Sequence, residues 1–296
     1  MFRRHTIKLY PNDFVKSKFE LWERHCRWLW NLCLQQRLDA WSKKKYPSQF
    51  DQQKQLTELK QECRWLYETP SQTLQGVIGD LDKTSRQMFK KTRKCPKFKK
   101  RNLHSSQSSL YLSAQNTHIQ NGYLHISKIG LVRFRGLKKS QGKLKSFNLI
   151  KRAGDWYASL LFECEDAINT NMSVVGIDRG ITSLLALSDG TLIDNPRWYR
   201  TSEKKLKQAQ RLLSHKKKVS ERRKKQQLRV ARTHARIANQ RIDFLHKLST
   251  SIAKNHGFVV LEDLKIENLI KFSIGMAKSI LDAGWGMFSN MLEYKC

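Results

Sequence analysis

The order of apolar and polar residues changes period several times along the chain, and the first change separates a short strand from a helix. Residues 4–10 alternate between apolar and polar side chains, as a strand does. Pro11-Asn12-Asp13 is typical of a helix start, and apolar residues then recur at spacings of three and four. They form the stripe of an amphipathic helix: Val15, Phe19, Trp22, Cys26, Leu29 and Cys33. Further helical patterns follow, so residues 11–91 predict a helical module.

Residues 108–165 carry several short alternating runs that are typical of strands. Asn121-Gly122 predicts a hairpin, because this pair readily adopts the positive φ angles of a two-residue turn. Gly154-Asp155 predicts a second turn. Strands at this spacing predict a small barrel or sandwich. The first strand of the chain could complete it, which would make the helical module an insertion in a β domain.

Two apolar runs in the last part of the chain each end at a carboxylate. Val174–Ile177 predicts a buried strand ending at Asp178, and Gly257–Leu261 predicts a buried strand ending at Glu262. Open α/β folds place their chemistry at such strand ends. Mg²⁺ prefers carboxylate oxygens, and phosphodiester hydrolysis commonly uses bound cations. The alternative is that these acids simply begin loops, and the spacing leaves both interpretations open.

The charge of the chain indicates its partner. Lys+Arg number 57 against Asp+Glu 25, a formal net charge of +32 over 296 residues. Self-repulsion on this scale requires a polyanion. No apolar run approaches the roughly 20 residues that span a bilayer, so we expect nucleic acid rather than a membrane. The six cysteines are scattered and form no C-x-x-C pair, which predicts a reduced, cytoplasmic protein with neither disulfides nor zinc. As a nucleic-acid-binding protein it is expected to be nucleoid-associated.

Two segments hold much of the positive charge. The first runs from Lys90 to Arg101, where Pro96 argues against a helix. The second, 203–254, carries seventeen Lys and Arg and three acids and predicts two antiparallel helices, the second capped by Ser220. Solvated surfaces are the alternative, but the charge density favours phosphate contact. The residues expected to bind nucleic acid are Lys90, Lys91, Arg93, Lys94, Lys97, Lys99, Lys100, Arg101, Lys204, Lys205, Lys207, Arg211, Lys216, Lys217, Lys218, Arg222, Arg223, Lys224, Lys225, Arg229, Arg232 and Arg236.

Three tryptophans of the first helix have different expected roles. Trp22 lies on the apolar stripe, which favours core packing over stacking on a nucleobase. Trp28 and Trp30 lie off the stripe, so either role is open for them.

Several motifs in a fixed order resemble the TnpB/OrfB family of proteins encoded by insertion sequences. They are RHCRWLWNLCLQ (24–35), TPSQTLQGVIGDLDKTSRQMFKK (69–91), CPKFKKR (95–101), GIDRGITSLLALSDG (176–190), RIDFLHKLS (241–249) and VVLEDLKIENL (259–269). The segments around Asp178 and Glu262 resemble the first two motifs of a RuvC-type, RNase H-like nuclease domain.

The resemblance implies a multidomain α+β protein. A β-barrel (wedge) domain would comprise residues 1–10 and 95–168, with an inserted helical recognition domain over 11–94 whose N-terminal region is helix-turn-helix-like. A RuvC/RNase H-like α/β domain would follow over 172–296, with a long basic helical insertion at 197–256.

The resemblance further implies an RNA-guided DNA endonuclease that binds a transposon-derived guide RNA and a target DNA. Asp178 would be the first catalytic carboxylate and Mg²⁺ ligand, and Glu262 the second. Asp263 is expected to be structural, because its side chain should point to the opposite face of its strand.

The chain also departs from the family pattern. The third carboxylate and the four-cysteine zinc module do not follow the DAGWGMF segment (282–288). We therefore expect a weak or partial Mg²⁺ site, no zinc, and little or no cleavage by this chain alone. The alternative is a catalytically inactive, RNA-guided DNA-binding remnant that acts as a repressor or competitor. The oligomeric state is open.

Overall fold

The computed structural model describes residues 2–43, 45–100, 108–114, 117–137, 142–165, 171–272 and 275–296. The chain divides into two compact units, residues 1–166 and 167–296. Each unit contains its own sheet and its own helices, so the predicted multidomain α+β class is confirmed. No helix of the described residues is long and apolar enough to cross a membrane.

The first unit consists of one strand, followed by a group of helices and then a group of strands. In chain order its described elements are β1 (Phe2–Tyr10), α1 (Asp13–Ser42), α2 (Gln49–Glu62), the 3-10 helix η1 (Arg64–Glu68), α3 (Ser71–Phe89), β2 (Ser108–Ser113), β3 (Ile119–Gln120), β4 (Tyr123–Ile126), β5 (Gly130–Arg135), β6 (Lys143–Arg152) and β7 (Asp155–Glu163).

These strands form one antiparallel sheet in the order β2-β6-β7-β1-β5-β4-β3. The expectation that the first strand joins the later ones is confirmed, because β1 lies between β7 and β5. The structure shows a single curled sheet rather than a two-sheet sandwich. In the described residues its edge strands, β2 and β3, are not paired with each other, so closure into a barrel stays a prediction.

One predicted hairpin turn is confirmed and the other is displaced by one residue. Asn121 and Gly122 have φ angles of 48° and 79°, as a two-residue hairpin turn requires. The second turn is formed by Ala153-Gly154, with φ angles of 51° and 85°, and not by Gly154-Asp155. Asp155 instead begins β7, where its carboxylate accepts a hydrogen bond from Lys8 at 2.9 Å.

The apolar stripe of α1 is buried against this sheet, as predicted. Phe19 packs on Trp156 of β7 with ring centroids 5.0 Å apart. Trp22 is buried and donates a hydrogen bond to the carbonyl of Glu68 at 2.9 Å, which joins α1 to η1. Asn12 caps α1 by accepting from the Val15 amide at 2.9 Å, which satisfies one of the unpaired amides at a helix start.

The second unit combines a small mixed sheet with helices. In chain order its described elements are β8 (Val174–Arg179), β9 (Ser183–Leu187), β10 (Leu192–Asp194), α4 (Trp198–Ser214), α5 (Glu221–Asn255), β11 (Phe258–Leu261), α6 (Ile266–Phe272), α7 (Ala277–Ala283) and α8 (Trp285–Glu293). The strand order is β10-β9-β8-β11, and β11 runs parallel to β8.

The prediction that β8 and β11 are buried strands is wrong for one of their two faces. Val175 and Ile177 pack in a core with residues of α5, α7 and α8. Their neighbours on the other face are exposed: Val174 by 65%, Phe258 by 58% and Val260 by 62%. The described helices of the unit cover only one face of the sheet. An apolar run in the sequence is typical of a strand covered on both faces, so it did not reveal the exposed one.

The predicted helix pair is confirmed, with its break at Ser220. The Ser220 hydroxyl accepts from the Arg223 amide at 3.2 Å and caps α5. The Arg223 guanidinium reaches back to the carbonyls of Leu213 and Lys216, each at 2.9 Å, and so satisfies the end of α4.

The first unit contains a buried ion pair whose loss should be costly. Arg37 is buried and donates to Asp82 at 3.0 Å and to Gln52 at 2.8 Å. Arg37→Ala is expected to lower the free energy of unfolding of this unit by about 3 kcal/mol, because it leaves a buried carboxylate without this partner. Urea unfolding followed by tryptophan fluorescence measures it, since six of the eight tryptophans lie in this unit.

Arg86→Ala is the matched control for that experiment. Arg86 pairs with the same carboxylate of Asp82 at 2.7 Å, but its side chain is 71% exposed. Its removal should cost below about 1 kcal/mol, because solvent screens the pair. Equal losses for the two variants would contradict the assignment of Arg37 as the buried partner.

Candidate functional site

The parallel pairing of β8 and β11 brings the two candidate carboxylates together. Val260 pairs with Gly176 and Leu261 with Ile177, so continuing the register by one residue sets Glu262 beside Asp178. Both are exposed. By the alternation of a strand, Asp178 lies on the face that carries Val174, the face left uncovered by the described helices, and Glu262 would lie on the same face if the alternation of β11 continued by one residue.

The backbone around Asp178 is tightly constrained. The Asp178 carboxylate accepts a hydrogen bond from the Arg179 amide at 2.8 Å. The next residue, Gly180, has no room for a side chain, because a Cβ there would lie 2.7 Å from the Ser183 carbonyl oxygen. These contacts fix the start of the β8–β9 hairpin, where Asp178 pairs with Ala186.

Arg179 joins the ends of the two strands from the opposite face of the sheet. It is 8% exposed, and its guanidinium donates to the Glu262 carbonyl oxygen and to the Ser289 hydroxyl, the latter at 2.7 Å. Burial lowers the pKa of Arg179 from its usual value, while the carboxylates of Glu262, Asp263 and Asp178 act against this lowering. Arg179 therefore compensates the negative charge that gathers at the strand ends.

The sequence did not lead us to predict a role for Arg179. The only signal for such a role was its position inside the GIDRG segment. The contact with Ser289 spans 110 positions, so residue spacing does not reveal it.

Asp263 lies with Arg179 and Glu262 around a cavity of about 420 Å³ between the end of β11 and α8. Glu293 and Cys296 also line this cavity. The expectation that Asp263 is structural stays a prediction.

The donor set fits Mg²⁺ in part. Two neighbouring carboxylates offer hard oxygen ligands, and Mg²⁺ commonly binds one or two carboxylates while it keeps several waters. In the described ranges, no group of three or more His, Cys, Asp or Glu side chains is arranged to hold a metal ion. Asp282 in particular is committed elsewhere, since it pairs with Arg241 at 2.6 Å and accepts from the Tyr199 amide at 2.8 Å.

The first basic segment is an extended chain held against α1. The Asn31 side chain donates to the Lys99 carbonyl at 3.1 Å and accepts from the Lys99 amide at 2.8 Å. Trp30 donates to the Lys97 carbonyl at 3.1 Å. The lysine residues of this segment are exposed, and the predicted absence of helix is confirmed. Arg101 lies outside the described residues.

Within this segment Lys99 has a defined partner. Its ammonium lies 3.8 Å from the centre of the Trp30 ring, a cation–π contact. Burial lowers the pKa of Lys99, and the Asp80 carboxylate opposes this lowering. Trp30 is itself buried, so it packs inside the unit, as Trp22 does, and Trp28 alone of the three is exposed.

The second basic segment places its charge on the surface of α4 and α5. Every predicted contact residue between 204 and 236 is exposed except Lys216, Arg223 and Lys224, which are half-buried. Two of the lysines form ion pairs, Lys207 with Glu203 at 3.2 Å and Lys224 with Glu221. The surface of α4 and α5 therefore stays strongly positive. Arg223 is the exception among these residues, because its guanidinium binds the carbonyls at the end of α4.

Comparison with known proteins extends over nearly the whole chain. A family model described as "Probable transposase" (OrfB) matches residues 161–273, and one described as "Helix-turn-helix domain" (OrfB) matches residues 1–45. A protein of Streptomyces pristinaespiralis named "Putative RNA-guided DNA endonuclease" is 36% identical over 99% of this chain and 74% of its own length. The chain belongs to the TnpB/OrfB family. The described part of residues 1–45 contains β1 and the single long helix α1.

A second relative matches a smaller part of this TnpB/OrfB chain. The Escherichia coli K12 protein named "Putative RNA-guided DNA endonuclease InsQ" is 34% identical over 79% of this chain. The match spans 62% of the length of the Escherichia coli protein.

The contacts of Arg179 make it a stability determinant of the second unit. Arg179→Ala is expected to lower the free energy of unfolding of this unit by about 3 kcal/mol, because it removes two charge-assisted hydrogen bonds from a buried site. Hydrogen exchange of the β11 amides should accelerate accordingly. Arg200→Ala is the control, because exposed Arg200 makes one bond to Ser279 at 3.2 Å. Unchanged exchange in β11 for Arg179→Ala would contradict the role of this guanidinium.

Proposed function

We propose that this TnpB/OrfB chain is an RNA-guided DNA-binding protein whose second unit is a RuvC-like, RNase H-like nuclease centre that uses Mg²⁺ to cleave DNA. The observation that supports the proposal is the parallel register of β8 and β11, which aligns the strand ends at which the exposed residues Asp178 and Glu262 follow. The names of the two relatives support the same activity.

Asp178 and Glu262 are the residues that would hold Mg²⁺. A cation bound there would supply charge neutralisation on a phosphate and activation of a water. The hydrogen bond from the Arg179 amide orients the Asp178 carboxylate. The bond from the Arg179 guanidinium to the Glu262 carbonyl positions the backbone that carries the second carboxylate.

The basic surfaces supply the affinity for the guide RNA and the target DNA. Contacts between lysine or arginine and phosphate release counterions and need no particular base sequence. Base pairing between the guide RNA and the target strand would then supply the sequence specificity. The exposed lysines of residues 90–100 and the exposed face of α4 and α5 are suited to this role.

A second candidate is guided DNA binding without cleavage. It is favoured by the ligand set, because the described residues bring two carboxylates together and no third metal-binding side chain. Losing a group that organises the transition state commonly costs orders of magnitude in rate.

A cleavage assay separates the two candidates. The 296-residue chain is expressed together with the DNA that flanks its gene, the co-purifying RNA is sequenced, and a duplex matching that RNA is incubated with the complex and Mg²⁺. Asp178→Asn and Glu262→Gln keep the size of each side chain but remove its charge. Each is expected to reduce cleavage by on the order of 100-fold or more, with DNA binding retained.

Asp263→Asn is the matched control, since it neutralises the neighbouring acid and should retain most of the cleavage. Cleavage by Asp178→Asn at the rate of the unmodified chain would contradict the nuclease centre. Guided binding without cleavage by the unmodified chain would establish the second candidate.

A further inference from the structure

Three aromatic side chains lie at the surface where η1 meets α1. Trp28 and Trp65 are each 37% exposed, and Tyr67 is 54% exposed. Between the last two, Leu66 is completely buried. Its burial anchors the 3-10 turn, so its two neighbours stay at the surface. We refer to Trp28, Trp65 and Tyr67 as the aromatic surface.

The two tryptophan rings of this surface are held in place by contacts with each other and with His25. Their rings meet edge to face with centroids 4.9 Å apart, and the Trp65 ring also packs on His25 at 4.5 Å. Buried His25 is fixed in turn by a hydrogen bond with the Thr69 hydroxyl at 2.8 Å. Rings that are already ordered lose little conformational entropy when a ligand stacks on them.

Two lysines converge beside the same turn. The Lys60 ammonium lies 5.8 Å from the centre of the Tyr67 ring and 2.7 Å from the Ser71 hydroxyl. Lys128 donates to the Tyr67 carbonyl oxygen at 2.6 Å. In the part of the chain that the structure describes, neither lysine forms an ion pair, and the nearby Glu68 pairs with Lys18 at 2.9 Å.

The convergence of the two ammonium groups carries an electrostatic cost. Burial, and then repulsion from Lys128, lower the pKa of Lys60 from its usual value. An anion between the two lysines would relieve this repulsion. Arg24 and Arg64, on the two elements that carry the tryptophans, are exposed as well and add positive charge to these elements.

We propose that the aromatic surface, together with Lys60 and Lys128, binds a short single-stranded segment of nucleic acid. Unpaired bases stack on Trp28 and Trp65, and a backbone phosphate lies between the two ammonium groups. Aromatic rings beside a positively charged groove are how proteins hold single strands without sequence preference. A duplex offers no open base faces to these rings, so the site selects single strands. The inference rests on the nucleic-acid-binding half of the proposed function and is independent of cleavage.

The test is binding of fluorescein-labelled 12-residue oligo(U) and oligo(dT), with a mixed-sequence duplex of equal length as the comparison. Trp28→Leu and Trp65→Leu are each expected to weaken single-strand binding by about tenfold or more and to leave duplex binding within about twofold. Tryptophan fluorescence of the unmodified chain should fall when a single strand binds. Phe50→Leu, which removes an isolated aromatic ring 76% exposed on α2, is the control and should bind as the unmodified chain does.

A charge variant keeps the inference testable if the leucine variants do not fold. Lys60→Ala with Lys128→Ala should reduce the slope of log affinity against log salt for the single strand by about 0.7, since the two lysines hold one phosphate and each neutralised phosphate contributes about 0.7. Lys16→Ala with Lys54→Ala is the control, because both are exposed lysines elsewhere on the unit. Tighter binding of oligo(U) identifies RNA as the ligand, and tighter binding of oligo(dT) identifies DNA.

Single-strand affinity and salt slope that stay unchanged in the aromatic and lysine variants would overturn the inference. Equal losses for the single strand and the duplex would overturn it too. If these variants bind normally while Lys216→Ala, Lys217→Ala and Lys218→Ala together weaken binding, the proposed function stands and this site does not. If the unmodified chain binds no nucleic acid, both fall.

Discussion

The candidate site depends on one long-range pairing, the parallel ladder between β8 and β11. These strands are about 80 residues apart in the chain, and their register pairs Leu261 with Ile177, the residues that directly precede Glu262 and Asp178. Continued by one residue, the same register would place both carboxylates on the exposed face of the sheet. A shift of one residue would change the face on which Glu262 lies. The chemistry proposed for the second unit therefore requires this register and no other.

The pairing is reinforced by charge from the buried side of the sheet. Arg179 binds the backbone of Glu262 and also the side chain of Ser289 on α8. Two carboxylates held close together repel each other, and a buried guanidinium nearby offsets part of this repulsion. An arginine suits this position better than a lysine, because its planar group donates in several fixed directions at once.

Positive charge serves two different purposes in this chain. Arg37, Arg179 and Arg223 are used internally, where they bind carboxylates or carbonyl oxygens that need a donor. Most lysines of the two basic segments are exposed and have few acidic partners. The net charge of +32 therefore includes arginines that are not available to bind a polyanion. The arrangement of the lysines indicates where a polyanion would lie.

Local patterns predicted local structure well. The α1 stripe, the Asn121-Gly122 turn and the Ser220 cap are confirmed, because neighbouring residues determine them. The turn at Ala153-Gly154 was displaced by one residue, because Asp155 already pairs with Arg152 in the ladder between β6 and β7. The exposed face of β8 and β11 could not be predicted, because a strand's sequence does not state what covers it. The pairing of the carboxylates was an expectation from family resemblance, and residue spacing alone did not distinguish it from two loop starts.

Whether Asp178 and Glu262 form one cation site can be tested with a crystal of the full chain soaked in Mn²⁺. Anomalous scattering locates this substitute for Mg²⁺ without reference to activity. We expect one anomalous peak within about 2.5 Å of oxygens from both carboxylates, and its loss in Glu262→Gln. Carboxylates that lie on opposite faces of the sheet, or a peak that survives the substitution unchanged, would contradict it.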